Sequence, residues 1–513
     1  MAREVTRRQL LGQAGTAAAG LAGLGVAGCA AHSSAATPGV GVLPDASVVG
    51  GYHRFITRPD LKPPVINLAR KIKGSQATSI FMNAPVSGPG RGGGMILDPD
   101  GNLVWMGPDV VGAHKLDFNT QTYQGRPVLT WWEGVETHGW GQGVLVVADT
   151  TYQRKHTLHA VGKPGTKVNF DHHEFNLTDK DTALATVYWP HTANLSSISG
   201  PENGSIVSGV FEEMDIATGK MLFRWDSLDH VAIDDTYQPV FYEGQHFGVP
   251  NNPFDYFHIN SLAYTDNDEN ILVSSRNTWC VYKISRKTGN IIWRLGGKHS
   301  DFELGPGARF YWQHHVRPHP GGLMTVFDNG AAPAEERQSR ALILEVNEKT
   351  MKVTLKHQYT HPNKALLASA MGSCQLLPNG NVMVGWGTNP YFSEFSQDGK
   401  LLVAGQMTRG NPSYRVFAAD WSGEPTDKPV VVAQKRKSGG KATIYVSWNG
   451  ATEVRSWGVL AGKTRSSLSS VGSAHKSGFE TAMAVQDRGP YFAVQALDAK
   501  GHVLATSHTV KIS

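Results

Sequence analysis

The chain has 513 residues, of which 40% are hydrophobic, and its 48 basic and 43 acidic residues give a formal net charge of +5. This length suggests more than one domain. Such a small charge excess, without a basic patch in the sequence, argues against a nucleic-acid partner.

Residues 1–28 have the layout of a bacterial twin-arginine export signal. Arg7 and Arg8 precede an uncharged run of Ala, Gly and Leu, which is too weakly apolar to be a stable membrane span. The run ends at Val26–Cys29, which resembles the lipobox at which bacterial lipoproteins are cleaved and acylated. We therefore expect export by the twin-arginine route and a lipid on Cys29 that anchors the protein to the outer face of the cell membrane. Ordinary signal cleavage nearby, with a secreted product, is the alternative.

Residues 29–77 are expected to supply the lipid anchor, a tether and an N-terminal extension, since residues 30–47 are rich in Ala, Ser, Pro and Gly. Beyond Cys29, the chain contains only Cys280 and Cys374. In an oxidising compartment the two could form a disulfide, and two buried thiols are the other interpretation. The sequence leaves both open.

Residues 78–427 predict an all-β fold. Short runs of alternating apolar and polar residues are separated by Gly- and Asp-rich turns, and the clearest unit, residues 258–297, has the size of one propeller blade. We therefore predict a β-propeller over 78–427 and favour six blades, because the segments 105–170 and 226–257 look like long insertions. Two β-sandwich domains are the alternative.

Residues 428–441 read as a linker rich in Pro, Lys, Ser and Gly. The chain after it alternates with a period of two residues, which predicts a small β-sandwich of the fibronectin type III kind over residues 442–513. We assign no chemistry to this domain.

One sequence motif recurs within the predicted propeller. It consists of a polar residue, a stretch of alternating apolar residues, a turn and a second apolar stretch. Three of its four copies open on a histidine, namely His173, His258 and His314, and the fourth has Gly372 at that position. Innermost propeller strands line a central channel, so we expect the three histidines to converge on one axial pocket. Imidazoles there can act as nucleophile, general acid or base, or anion binder.

A pocket that binds an anion also needs a cation. Arg340 follows a turn and opens a strand, where its guanidinium could clamp a sulfate or phosphate or could instead form a salt bridge at the rim, and Arg276 is a weaker candidate. His172 is expected to be exposed. The sequence contains no GxxxxGK[ST] loop, HExxH motif, CxxC pair or GxSxG elbow. We therefore expect no cofactor, although three convergent imidazoles would also suit Zn²⁺ or Cu²⁺ in a metalloenzyme.

Several short sequence motifs match those of a known family. They are residues 173–178, Phe257–Ser261, Trp312–His314, Phe327–Gly330, Ser339–Ala341 and Gln375–Val382. At these positions the chain resembles the bacterial arylsulfotransferase family, in particular its actinobacterial and fungal-type branch.

The resemblance implies a six-bladed propeller that transfers a sulfuryl group from a phenolic sulfate ester to a phenol acceptor without a nucleotide donor. It assigns His258, His314 and Arg340 as catalytic residues, and we expect His173, Asn260 and Asn329, from the repeat and the matching phrases, to bind substrate. The histidine that the family uses as nucleophile has no counterpart, because Gly372 stands in its place. Either His314, His258 or a loop histidine takes that role, or transfer is lost and the propeller only binds a ligand.

Overall fold

The computed structural model describes residues 40–42, 48–71, 73–83, 93–108, 112–162, 168–408, 411–436, 440–486 and 488–513. The predicted export signal and the predicted lipid on Cys29 lie outside these residues. Within them, no helix is long and apolar enough to cross a membrane. Short 3-10 turns lie at Ser196–Ile198, Ser227–Asp229, Ile233–Asp235 and Pro320–Gly322.

Within the described residues, six sheets, each with four antiparallel main strands, follow one another along the chain. Sheets 1 to 3 consist of Val416–Ala419, Ser79–Asn83, Gly94–Leu97 and Leu103–Met106; of His114–Tyr123, Arg126–Thr137, Trp140–Ala148 and Arg154–Leu158; and of Phe175–Leu177, Thr182–Ala193, Gly204–Asp215 and Met221–Asp226. Sheets 4 to 6 consist of Ile259–Thr265, Asn270–Ser275, Cys280–Ser285 and Ile291–Gly296; of His314–His319, Leu323–Asp328, Arg340–Asn347 and Lys352–Tyr359; and of Ser373–Leu376, Val382–Gly385, Tyr391–Phe395 and Leu401–Met407.

The first strands of neighbouring sheets contact one another, from sheet 2 through sheet 6 to Val416–Ala419 of sheet 1. They therefore surround a common axis, and we interpret each sheet as one propeller blade. Phe254–Asp255 adds a short parallel strand to sheet 3 and Glu303–Leu304 does so in sheet 5, while Phe241–Tyr242 pairs with Gln245–His246 in a separate hairpin. The predicted all-β propeller is confirmed.

Both faces of a blade are covered by its neighbours. All five residues of Ser79–Asn83 are buried, so both sides of this strand are covered and its burial does not alternate. Trp105, Trp225 and Trp293, on the outer strands of sheets 1, 3 and 4, are buried as well. The Trp225 indole N–H donates to the carbonyl of Gly289 in the next sheet at 3.1 Å, so this tryptophan packs between two blades.

The ring is closed by strands from both ends of the propeller region. Val416–Ala419 is the innermost strand of sheet 1 and pairs with Ser79–Asn83. Ile66–Lys71 pairs with Leu401–Met407 at the outer edge of sheet 6, so the N-terminal extension contributes to the propeller and is not a separate segment. Val48–Val49 and Tyr52–His53 form a hairpin before it.

Two further sheets lie at the C-terminal end and share one hydrophobic core around Trp457. One consists of Val40–Val42, Glu480–Gln486, Lys441–Ser447 and Val430–Lys435, and the other of Ser467–His475, Ser456–Thr464, Tyr491–Leu497, Val503–Thr506 and Val510–Lys511. Two facing sheets on one core are the arrangement of a β-sandwich. Its boundaries differ from the prediction, because strands form inside the predicted tether and inside the predicted linker. Period-two patterning does not reveal such strands when they flank Pro- and Gly-rich sequence.

Cys280 and Cys374 are free thiols, and both are buried. Burial raises the pKa of Cys374 to about 12, which keeps its thiol protonated. The disulfide alternative is therefore wrong.

A buried guanidinium lies near the axis of the propeller. Arg415, which is 1% exposed, donates through Nη1 to Asp117 at 2.7 Å and through both Nη atoms to Glu174 at 3.2 Å. Its Nη2 also donates to the carbonyls of His173 at 2.7 Å and Asn260 at 2.9 Å. These bonds join the closing strand of sheet 1 to sheets 2, 3 and 4.

Arg317 of sheet 5 extends this network, because its Nη2 donates to both Glu174 carboxylate oxygens at 2.8 Å. Two guanidinium groups therefore face two carboxylates, and their charges balance. This balance allows four charged side chains to lie in the interior.

We predict that Arg415→Leu lowers the free energy of unfolding by about 3–5 kcal/mol, because it leaves Asp117 and Glu174 buried without their main cation. Chemical denaturation measures this change. Lys356→Ala is the matched control, since Lys356 and Glu345 form an exposed pair at 3.4 Å whose loss costs about 0–1 kcal/mol. Equal, small effects of the two substitutions would contradict a structural role for the axial network.

Candidate active site

A cavity of about 360 Å³ opens where the first strands of the sheets begin around the axis. Its lining combines ionisable side chains with apolar ones. The lining residues are Asn83, Leu116, Glu136, Gly139, His172, His173, His258, Arg276, His314, Ala370, Met371, Thr388, Pro412 and Tyr414. The three histidines predicted from the repeat are therefore brought together.

A larger groove of about 510 Å³ lies between sheets 4 and 5. Its carboxylates, Asp266 and Glu348, are both paired with Lys283 at 2.7 Å. We place the candidate site in the axial cavity, because four histidines and one arginine converge there on the same space.

His173 is held by a carboxylate. Its Nδ1 lies 2.7 Å from Asp171 Oδ1, which also accepts the His173 backbone N–H at 2.8 Å. Burial would raise the pKa of Asp171, but His173 and His172 hold it below its ordinary value. Burial lowers the pKa of His173. The Nδ1–H bond to the carboxylate leaves Nε2 as the second functional atom of the ring.

His258 has the same construction in the next sheet. Its Nδ1 lies 2.6 Å from Asp255 Oδ2, and its backbone N–H donates to Oδ1 at 2.8 Å. These bonds hold His258 in the left-handed region at φ 53°, which non-glycine residues rarely adopt. The His258 and His173 ring centroids are 4.7 Å apart. Sequence reasoning missed both aspartates, although each lies two or three residues before its histidine.

His314 is held by a carbonyl instead of a carboxylate. Its Nδ1 donates to the Gly372 carbonyl at 2.8 Å, and its Nε2 lies 3.2 Å from the Tyr414 hydroxyl. Burial, followed by the charge of Arg415, lowers the pKa of His314 well below its ordinary value. The ring is therefore neutral at physiological pH, with its lone pair on Nε2.

Gly372 has a structural reason to lack a side chain. Its φ is 100°, and a Cβ would lie 2.4 Å from the Phe327 ring. The position at which the repeat predicts a histidine therefore has no room for one. Gly372 contributes its carbonyl, which orients His314.

His172 was expected to be exposed, and this is wrong. It is 4% exposed, lines the cavity and stacks on His173 with ring centroids 4.2 Å apart. The Trp132 ring contacts it edge-on, with ring centroids 5.4 Å apart. Burial lowers the pKa of His172 to about 4, so it is neutral. Two adjacent residues at a turn can both point inward, which strand alternation does not predict.

Arg340 does not line the cavity. Its Nη2 donates to Asp328 Oδ2 at 2.6 Å and to the Arg309 carbonyl at 2.8 Å. Asp328 is directly opposite Arg340 on the neighbouring strand and is fully buried, so the guanidinium is neutralised there. The structure does not support the predicted anion-binding role of Arg340.

Arg276 is the arginine that lines the cavity. Its Nη2 donates to the carbonyls of Ser369 at 3.0 Å and Ala331 at 3.3 Å, and its Nη1 donates to the Asn277 amide oxygen at 3.0 Å. The guanidinium lies over the Trp312 ring at 4.7 Å. These partners are neutral, so they fix the orientation of the guanidinium and leave its charge available for an anion.

The two asparagines predicted to bind substrate lie behind the cavity wall. Asn260 donates to the Gln313 carbonyl at 2.7 Å, next to His314. Asn329 donates to the carbonyls of Ala368 and Met371 at 3.1 Å. Neither lines the cavity, and both are fully buried. The two asparagines hold the wall of the cavity in position.

Tyr414 was missed by the sequence analysis. Its hydroxyl donates to the His173 carbonyl at 2.9 Å, and its ring lies edge-on to His314. It precedes the closing strand and lies outside the repeat, so no local pattern reveals it. The loop histidines considered as alternatives do not line the cavity; they are His138, His230, His246, His299, His357 and His361.

The spacing and bonding of the donor atoms bear on the alternative that the histidines hold a metal ion. Among the described residues, the group with metal-like spacing is Asp171, His172 and His173, and it does not include His258 or His314. The Asp171 oxygens already accept bonds from the His173 backbone and ring, Thr186 and the Gly141 backbone. A metal would have to displace these donors, so the bonding favours an orienting role for Asp171.

Comparison with solved structures found similar proteins of low sequence identity. A protein of unknown function from Bacteroides caccae is 10% identical over 66% of this chain and 98% of its own, with a TM-score of 0.40. A putative 6-phosphogluconolactonase from Bacteroides fragilis is 8% identical over 68% and 99%, with a TM-score of 0.36. The β-propeller domain of Cps50 (Swd1) from Myceliophteria thermophila is 10% identical over 82% and 99%, with a TM-score of 0.32. These values carry no functional argument.

No curated protein matches the sequence. A family model described as arylsulfotransferase (ASST) matches residues 119–408, which is more than half of the chain. The matched region contains His173, His258, Arg276 and His314. The chain therefore belongs to the arylsulfotransferase (ASST) family.

Proposed function

We propose that this protein transfers a sulfuryl group from a phenolic sulfate ester to a phenol, through a sulfated histidine and without a nucleotide donor. The observation that carries the proposal is the cavity in which Arg276, His258 and His314 meet. Family membership supports sulfotransferase chemistry on phenolic substrates in general. The bonding of each side chain supports the role proposed for it.

Arg276 binds the sulfate group. Of the arginines discussed, Arg317, Arg340 and Arg415 are all paired with carboxylates. Arg276 is held by neutral oxygens, so it can bind a sulfate oxygen without breaking an ion pair. A guanidinium also offsets the charge that spreads over the equatorial oxygens during transfer.

His314 is the nucleophile. Its Nδ1–H bond to Gly372 places the lone pair on Nε2, and its depressed pKa keeps that lone pair unprotonated. As the Nε2–S bond forms, the S–O bond to the aryl group breaks and the ring becomes positively charged. The Gly372 carbonyl stabilises this charge through Nδ1–H.

His258 moves the proton. Protonated His258 donates its Nε2 proton to the leaving phenolate, and Asp255 stabilises the imidazolium beforehand. In the second half-reaction, the acceptor phenol gives its proton to His258 and attacks sulfur, which releases His314. His173, beside His258, contributes a second imidazole to the same part of the cavity.

The direct test uses 4-nitrophenyl sulfate as donor and phenol as acceptor. We expect phenol-dependent release of 4-nitrophenolate and parallel double-reciprocal plots, because donor and acceptor react in separate half-reactions. Chelator should leave the rate unchanged. Release that is independent of phenol, across several aryl sulfates, would contradict sulfotransfer, and loss in chelator with recovery on metal addition would favour the metalloenzyme alternative.

The two arginines provide a matched pair of substitutions. We predict that Arg276→Lys lowers kcat/KM for 4-nitrophenyl sulfate by about 100-fold, because an ammonium group cannot keep both wall carbonyls and also bind sulfate as a fork. Arg340→Lys should lower thermal stability and change kcat/KM by less than about threefold. A large loss of kcat/KM in Arg340→Lys, with little change in Arg276→Lys, would instead assign anion binding to Arg340.

A further inference from the structure

The axial cavity has two walls of different character. Sheets 4 and 5 supply Arg276, His258 and His314, whereas sheets 1 and 2 supply Asn83, Leu116 and Glu136. In a ring of six blades, sheets 1 and 2 lie across the axis from sheets 4 and 5. The wall of sheets 1 and 2 therefore faces the part of a substrate that is farthest from the sulfate-binding arginine.

Glu136 is the one carboxylate among the described residues that line the cavity. It lies near the end of the strand Arg126–Thr137, opposite Gly141, and its side chain is exposed at the rim. No ion pair engages Glu136 within the part of the chain that the structure describes. Its charge acts on His172 inside the cavity, where it opposes the lowering of that imidazole pKa by burial.

Asn83 brings a second hydrogen-bond acceptor to the same wall. It is 2% exposed, its Nδ2 donates to the Lys115 carbonyl at 2.7 Å, and its backbone N–H donates to the Ser413 hydroxyl at 3.0 Å. Its Oδ1 is buried and has no partner among the described residues. The Nδ2 bond fixes the amide, so Oδ1 remains an unused acceptor in the cavity wall among the residues that the structure describes.

From these observations we propose that the wall of sheets 1 and 2 selects acceptor phenols that carry a positively charged substituent, that is, phenolic amines. The ring lies against Leu116, the hydroxyl faces His258 and His314, and the ammonium group faces Glu136 and the Asn83 oxygen. Arg276 repels the ammonium group from the opposite wall, which fixes this orientation. The inference rests on the proposed sulfotransfer.

The test compares kcat/KM for three acceptors with 4-nitrophenyl sulfate as the fixed donor: tyramine (cationic), 4-ethylphenol (neutral) and 3-(4-hydroxyphenyl)propanoate (anionic). We expect kcat/KM to be highest for tyramine, lower for 4-ethylphenol and lowest for the propanoate. Glu136→Gln should reduce the tyramine to 4-ethylphenol ratio by about threefold, the size expected for a partly exposed ion pair. Glu136→Lys should reverse the preference in favour of the propanoate.

Glu133→Gln is the control, because it makes the same charge change on the same strand, where Glu133 pairs with Arg154 outside the cavity. It should leave the kcat/KM ratios among the three acceptors unchanged. Equal use of the three acceptors by the unsubstituted protein, or a tyramine to 4-ethylphenol ratio that Glu136→Gln does not alter, would overturn the inference while sulfotransfer stands. Failure to transfer to any of the three would instead refute the proposed function, and this inference with it.

Discussion

The buried guanidinium of Arg415 is the interaction on which the rest of the site depends. It belongs to the segment that closes the ring, and it binds carboxylates or carbonyls in sheets 2, 3 and 4. A propeller blade packs against its neighbours through apolar faces, so the polar contacts of Arg415, together with those of Arg317, link strands across the axis. Arg415 holds the carbonyl of His173 and lies next to Tyr414. Closure of the ring therefore also places these residues of the cavity.

Above this network, each of His173, His258 and His314 is fixed by an acceptor on Nδ1 and presents Nε2 as its second functional atom. The acceptors differ: Asp171 and Asp255 are carboxylates, whereas Gly372 offers a neutral carbonyl. A carboxylate favours a ring that gains and loses a proton, and a carbonyl favours a ring that stays neutral. This difference is the physical basis for assigning proton transfer to His258 and nucleophilic attack to His314.

The repeat in the sequence was sufficient to predict the propeller and the convergence of three histidines, because equivalent positions in successive blades meet at the axis. The choice between Arg276 and Arg340 was not predictable, since it depends on which guanidinium faces a carboxylate across a strand pair, and Asp328 neutralises Arg340. Tyr414 and Arg415 lie outside the repeat and reach the axis only through ring closure. Gly372 was found from the repeat, but its use of a carbonyl is a property of the folded backbone.

The proposed mechanism requires that the sulfuryl group rest on His314 between the two half-reactions. The most direct measurement is rapid-quench mass spectrometry of the protein mixed with 4-nitrophenyl sulfate in the absence of phenol, followed by peptide mapping at alkaline pH, where N-sulfated histidine is least exposed to acid. We predict a single added SO3 on the peptide that contains His314, which disappears when phenol is supplied. A sulfated peptide that contains His258 or His173 instead, or phenol-dependent turnover without any sulfated peptide, would contradict the claim.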